Sequence, residues 1–113
     1  MAKRRAESAT ITRGSTNVFK DLGYPDAAER QAKLRLAYAL NQVLEDRGLT
    51  QTAAAAVLRL SQPKVSALRN YKLAGFSVER LMTLLNALGQ DVEIIVRNKP
   101  RSRQSGRIKV VAA

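Results

Sequence analysis

The stretch from Leu49 to Asn70, LTQTAAAAVLRLSQPKVSALRN, constrains this chain more than any other. It carries two helix-start signals, Thr50 and Ser61. Each offers a side-chain oxygen that can accept from a backbone N–H in the first helical turn. Pro63 falls in the first turn after Ser61, where a missing N–H costs little. Ala53 to Ala56 favour helix and let another helix approach closely. The predicted helices run from Gln51 to about Leu58 and from Ser61 to about Asn70, joined only by Arg59-Leu60. Ala54, Ala55, Leu58, Leu60, Val65 and Leu68 supply the contacts between them, with Ala55 small at the closest crossing. The second helix must then project its leading end while the first pins it.

The flanks supply the rest of a small helical domain. Val18, Phe19 and Leu22 form the first apolar cluster, and Gly23-Tyr24-Pro25 breaks the chain after it. Asp26 is a good N-cap, with Glu29 three residues on as its capping-box partner. A long helix is predicted from Ala27 to Arg47. Its stripe is Leu36, Ala37, Leu40, Val43 and Leu44, flanked by Leu34 and Tyr38, and Gly48 ends it. Ser77 caps a last helix from Val78 to Leu88, with Val78, Leu81, Leu84 or Leu85, and Leu88 facing inward and Gly89 as the stop. Leu58, Val65, Leu68, Leu81, Leu84 and Leu88 are expected to be core.

The period changes after Gly89. Asp91 to Arg97 is β-branched and partly alternating, which predicts a strand, and Arg107 to Val111 predicts a second short one beyond a loop at 98–106. A two-stranded hairpin alone is marginal in water. Pairing of Val92, Ile94, Ile95 and Val96 with a second copy of the chain is the better use of this strand. The expected organisation is a basic N-terminal arm at 1–17, a helical domain at 18–90, a dimerisation strand at 91–97 and a basic tail at 98–113.

Charge points to the partner. The net charge is +11, and it is unevenly spread. Residues 1–20 hold Lys3, Arg4, Arg5, Arg13 and Lys20 against Glu7 alone. Residues 97–113 hold Arg97, Lys99, Arg101, Arg103, Arg107 and Lys109 with no acid. Two basic arms thus flank a nearly neutral centre, an arrangement suited to phosphate backbones, or simply to solubilising the ends. Catalysis finds no support. There is no Cys and no His, which removes thiolate and imidazole chemistry together. Glu45 and Asp46 are neighbours in sequence and so do not share a helix face. No catalytic residue, metal site or cofactor is expected. No stretch is apolar and long enough to cross a membrane, and a cytoplasmic location is expected.

The paired helices meet the requirements of a helix-turn-helix unit. In detail they resemble the lambda-repressor-like (Xre) family, whose segment reads approximately L-T-Q-x-x-x-A-x-x-L-x-(V/I)-S-Q-x-x-(V/I)-S. Leu49-Thr50-Gln51, Ala55, Leu58, Leu60-Ser61-Gln62 and Val65-Ser66 fall in register. Asn17 to Gly23, Pro25-Asp26-Ala27, Gln62 to Ser66, Gly75-Phe76-Ser77 with Glu79-Arg80-Leu81, and Ala87-Leu88-Gly89 with Val92-Glu93 resemble one subgroup, the HigA-like antitoxins. The likeness spans roughly residues 15–97. It implies a mainly α bundle of four to five helices with a C-terminal β-strand or hairpin. It also implies a homodimeric repressor of a near-palindromic operator, paired with a RelE/HigB-like ribonuclease toxin and controlling its own operon. A stand-alone Xre-type regulator, a toxin-neutralising module with weak DNA binding, and a sequence-indifferent nucleic-acid binder are the alternatives. Val18, Phe19 and Leu22 would either contact the toxin or pack on the core.

The resemblance places residues in roles. Gln62, Lys64, Ser66 and Ala67 would face base edges in the major groove. Gln62 would serve adenine, Lys64 guanine or a phosphate, and Ala67 a thymine methyl. Gln51, Ser61, Arg69, Lys72 and Ser77 would contact phosphates, or remain surface charges and caps. Two positions depart from the family. Arg59 replaces the usual turn Gly, so either the turn differs or Arg59 accepts a left-handed backbone at about 1 kcal/mol. Tyr71 replaces a Gly after the recognition helix, and Asn70 is expected to take the left-handed C-cap instead.

Overall fold

In the computed structural model, residues 26–112 are described, with side chains from Ala27. Four helices follow one another: α1 (Asp26–Asp46), α2 (Gln51–Leu58), α3 (Gln62–Arg69) and α4 (Val78–Ala87). The N-terminal arm, the Val18–Leu22 cluster, the break at 23–25 and the Asp26 side chain of the expected capping box lie outside the described residues. Glu29 pairs with Lys33 one turn on, at 3.7 Å.

The predicted stripe of α1 is the backbone of the core. Ala32, Leu36, Ala37, Leu40 and Leu44 are buried, while Leu34 and Tyr38 on its flanks are exposed. α1 packs chiefly on α4, which contributes Leu81, Leu84 and Leu85, with Leu88 just beyond it. α2 packs chiefly on α3, through Ala54, Leu58, Val65 and Leu68. Leu73 and Phe76, from the link between α3 and α4, close the remaining side. All six residues expected to be core are buried. Each large apolar side chain so buried contributes about 1.5–3 kcal/mol of transfer free energy.

All four helices end in the same way. A residue in the left-handed region follows the last turn, and the next N–H reaches back five residues. Leu49 N donates to Leu44 O (3.1 Å), Leu60 to Ala55 (3.0 Å), Lys72 to Ala67 (2.8 Å) and Gln90 to Leu85 (3.0 Å). Two of the left-handed residues are Gly48 and Gly89, which carry no Cβ penalty. The other two are Arg59 (φ 56°) and Tyr71 (φ 59°). Arg59 therefore takes the strained conformation. Asn70 does not: its φ is −99°. Its Nδ2 donates to Ser66 O at 2.9 Å, which keeps Asn70 against the last turn of α3 and moves the left-handed position to Tyr71.

The C-terminal strands are the main correction. Among the described residues there is no strand, and a fifth helix is not found there either. Residues 90–100 are irregular, and within 91–112 the one backbone hydrogen bond is the turn from Arg103 N to Pro100 O (3.2 Å). A strand needs a neighbouring backbone, and β-branched residues provide propensity without providing one. Val92 and Val110 both pack on the helical core, and Arg35 Nη1 lies 3.5 Å from Val110 O. The chain thus leaves the core at Val92 and returns to it at Val110. Between them Ile94, Ile95 and Val96 are 78%, 66% and 91% exposed.

Candidate nucleic-acid interface

The caps that start α2 and α3 set the geometry of the interface. Ala53 N donates to Thr50 Oγ1 at 3.1 Å, and Lys64 N donates to Ser61 Oγ at 3.3 Å. Pro63 occupies the first turn of α3. Each cap satisfies one of the N–H groups that a helix start leaves without an intrahelical partner. The inward face of α3 is fixed by Val65 and Leu68, neither with any measurable exposure. Its first turn is therefore held on a rigid base, with Ser61, Gln62, Pro63 and Lys64 in solvent.

The far end of α3 is clamped to α1 by polar groups. Asn41 is buried, and its Nδ2 donates to Leu68 O at 3.1 Å. Arg69 Nη1 donates to Asn41 O at 3.3 Å, and Arg69 Nη2 lies 3.8 Å from Glu45 Oε2. Asn41 Oδ1 is buried without a partner among the described residues. Leaving one acceptor unpaired costs about 1–3 kcal/mol, which the fold as a whole offsets. Asn41 interrupts the apolar stripe between Leu40 and Leu44, and that polar interruption was the available sequence signal for it.

The expected base-facing residues fall into two pairs. Gln62 and Lys64 are exposed together on the first turn, whereas Ser66 and Ala67 are half-buried. Ala67 packs against the core, and the Ser66 hydroxyl lies 3.5 Å from Asn70 Nδ2. Gln62 and Lys64 are themselves held. Gln62 Nε2 donates to Thr52 Oγ1, across from the first turn of α2, at 3.3 Å. Lys64 Nζ donates to Gly75 O at 3.1 Å and sits 4.9 Å from the centre of the Phe76 ring, within cation–π range.

The expected phosphate set is spread around this turn. Gln51 opens α2 and is exposed, and Lys72 is exposed beyond α3. Ser61 and Ser77 act as N-caps, Ser77 Oγ accepting from Arg80 N at 3.0 Å, and their own O–H groups remain available to donate. Arg69 differs, since its guanidinium is engaged by α1. Thr52 was not singled out from the sequence. It lies ten places before Gln62, and nothing in a linear string marks a contact across a turn. Among the described residues no group of acidic, His or Cys side chains could hold a metal ion. No described helix is long and apolar enough to cross a membrane.

Comparison with known proteins agrees with this geometry. A family model described as a helix-turn-helix domain matches residues 18–97. A solved structure assigned to the XRE family of transcriptional regulators is 74% identical, covers 79% of this chain and 100% of its own, and superposes with a TM-score of 0.76. No curated protein matches the chain.

Proposed function

The chain belongs to the helix-turn-helix domain family, in its XRE branch, and from that premise we propose that it is a homodimeric transcriptional repressor reading DNA through the first turn of α3. The observation that carries this reading is the joint exposure of Gln62 and Lys64 on a turn that caps and core hold in place. An amide there can pair with N6 and N7 of adenine. An ammonium can reach O6 and N7 of guanine or a phosphate. On meeting DNA, Lys64 exchanges its bond to Gly75 O for one of these. Ser66 and Ala67 approach only the nearest base edges, so DNA shape adds to the readout.

Gln51, Ser61, Lys72 and Ser77 hold the backbone on either side. Arg69 is the weakest member of this phosphate set, because binding there would break its contacts to Asn41 and Glu45. The exposed run of Ile94, Ile95 and Val96 joins two copies, next to Val92 on its own core, and places two α3 helices about 34 Å apart on a near-palindromic operator. The unpaired backbone and exposed apolar run of this segment support that use. The antitoxin role, with a RelE/HigB-like toxin and control of its own operon, rests on the subgroup resemblance of the sequence. Without a toxin partner the same geometry serves a stand-alone regulator.

A gel shift on the DNA upstream of the protein's own gene tests the repressor reading. A retarded complex that resists competition by unrelated duplex is expected. A folded dimer that binds this DNA no better than unrelated duplex at low salt would overturn it. For the antitoxin role, co-expression with the product of an adjacent RelE-like gene should give a stable complex. Two separately eluting proteins would remove that part alone.

A further inference from the structure

We infer that Thr52 is a positioning residue for base recognition, which sets the orientation of the Gln62 amide so that it selects adenine. The inference rests on the DNA-reading role of α3 proposed above and adds a specificity determinant outside that helix.

The case is one of hydrogen-bond inventory. A glutamine amide has two N–H donors and one oxygen acceptor. At the start of α3 one N–H of Gln62 is donated to Thr52 Oγ1 at 3.3 Å. One N–H and the oxygen are left. The Hoogsteen edge of adenine asks for that same pair, an N–H toward N7 and an oxygen toward N6. If the amide were rotated by half a turn, its oxygen would face the threonine instead. The hydroxyl could then donate, and only N–H groups would remain for the DNA. Such an amide suits the acceptor-only edge of guanine as well as it suits adenine. In the bond as it stands the threonine hydroxyl accepts, and the pair of groups left on the amide is the one that adenine asks for.

Local structure makes the placement reproducible. Thr52 is the second residue of α2 and Gln62 the first of α3. Each follows its own N-cap closely, Thr50 and Ser61. Ala54 and Leu58 of α2 pack in the same core as Val65 and Leu68 of α3. The two first turns are therefore fixed with respect to each other before any DNA arrives, and the Thr52–Gln62 bond spans them.

Selection from a library of randomised DNA duplexes, followed by sequencing, reads preference position by position. Thr52→Val keeps the shape of the side chain and removes the hydroxyl. It should lower the adenine preference about five- to tenfold at one position in each half-site, a fraction of what a bidentate pair confers. The other positions and the affinity for unselected duplex should not change. Thr52→Ser should restore the preference. In a Gln62→Ala background Thr52→Val should have no further effect. An unchanged preference map, a uniform loss at every position, or an additive effect in that background would each overturn the inference. Absence of any preference in the unaltered protein would instead count against the reading of α3 itself.

Discussion

The helix-turn-helix segment and the C-terminal arm both carry runs of apolar residues, and the two have opposite fates. Between Leu49 and Leu73 helix starts meet caps, helix ends are closed by a return hydrogen bond, and Leu58, Val65, Leu68 and Leu73 point into a shared core. Between Asp91 and Ala112 the chain touches the core mainly at Val92 and Val110, and three consecutive apolar residues face solvent. The difference lies in where the partner groups are. Helical backbone pairs with itself a few residues away, so a short local sequence is sufficient. Strand backbone pairs with another segment, and the described chain provides none. The helix-turn-helix segment is thus completed by contacts within the described protomer, whereas the backbone of the arm stays unpaired there.

The comparison can be broken most forcefully in the core. Leu68→Ala removes a fully buried side chain at the base of α3, and a loss of about 2–5 kcal/mol is expected in urea unfolding. A loss under about 1 kcal/mol would mean that α3 is not braced by the core. The caps sharpen the contrast at a smaller scale. Ser61→Ala should cost about 1 kcal/mol by releasing the N–H of Lys64. A similar loss is expected for Gly48→Ala, where φ is +63° and an added Cβ would meet nothing within 4 Å, so only the backbone conformation is penalised.

Arg59→Gly should go the other way and raise stability by up to about 1 kcal/mol, because it relieves a left-handed non-glycine residue. No gain, by thermal unfolding, would show that the Arg59 side chain offsets its own strain. The smallest expected effect on the fold is in the arm. Ile94→Lys with Val96→Lys should change the stability of the protomer by less than about 0.5 kcal/mol, as exposed substitutions do. The same pair should convert a dimer to a monomer in analytical ultracentrifugation. Persistence of the dimer would place the interface elsewhere.

What could be read from the sequence follows the same division. The caps Thr50, Ser61 and Ser77, the stops at Gly48 and Gly89 and the buried faces of all four helices were legible, because each depends on residues within one or two turns. The segment 91–97 was misread as a strand, since its pattern records a propensity and its backbone finds no partner among the described residues. The C-cap of α3 was misplaced by one residue: an asparagine side chain that tolerates the left-handed region also bonds backwards to Ser66 and so stays in the helix. The engagement of Lys64 by Gly75 and Phe76, and of Arg69 by Asn41 and Glu45, was also out of reach. Long basic side chains choose their partners from the tertiary neighbourhood, and a sequence shows only that they are free to.

The most direct test is a titration of two duplexes, one selected by the protein and one scrambled, with the unaltered chain and with Gln62→Ala/Lys64→Ala. The altered protein, confirmed as folded, should bind both duplexes about equally, at close to the scrambled-duplex affinity of the unaltered chain. If it kept its full preference for the selected duplex, bases would be read somewhere other than the leading turn of α3.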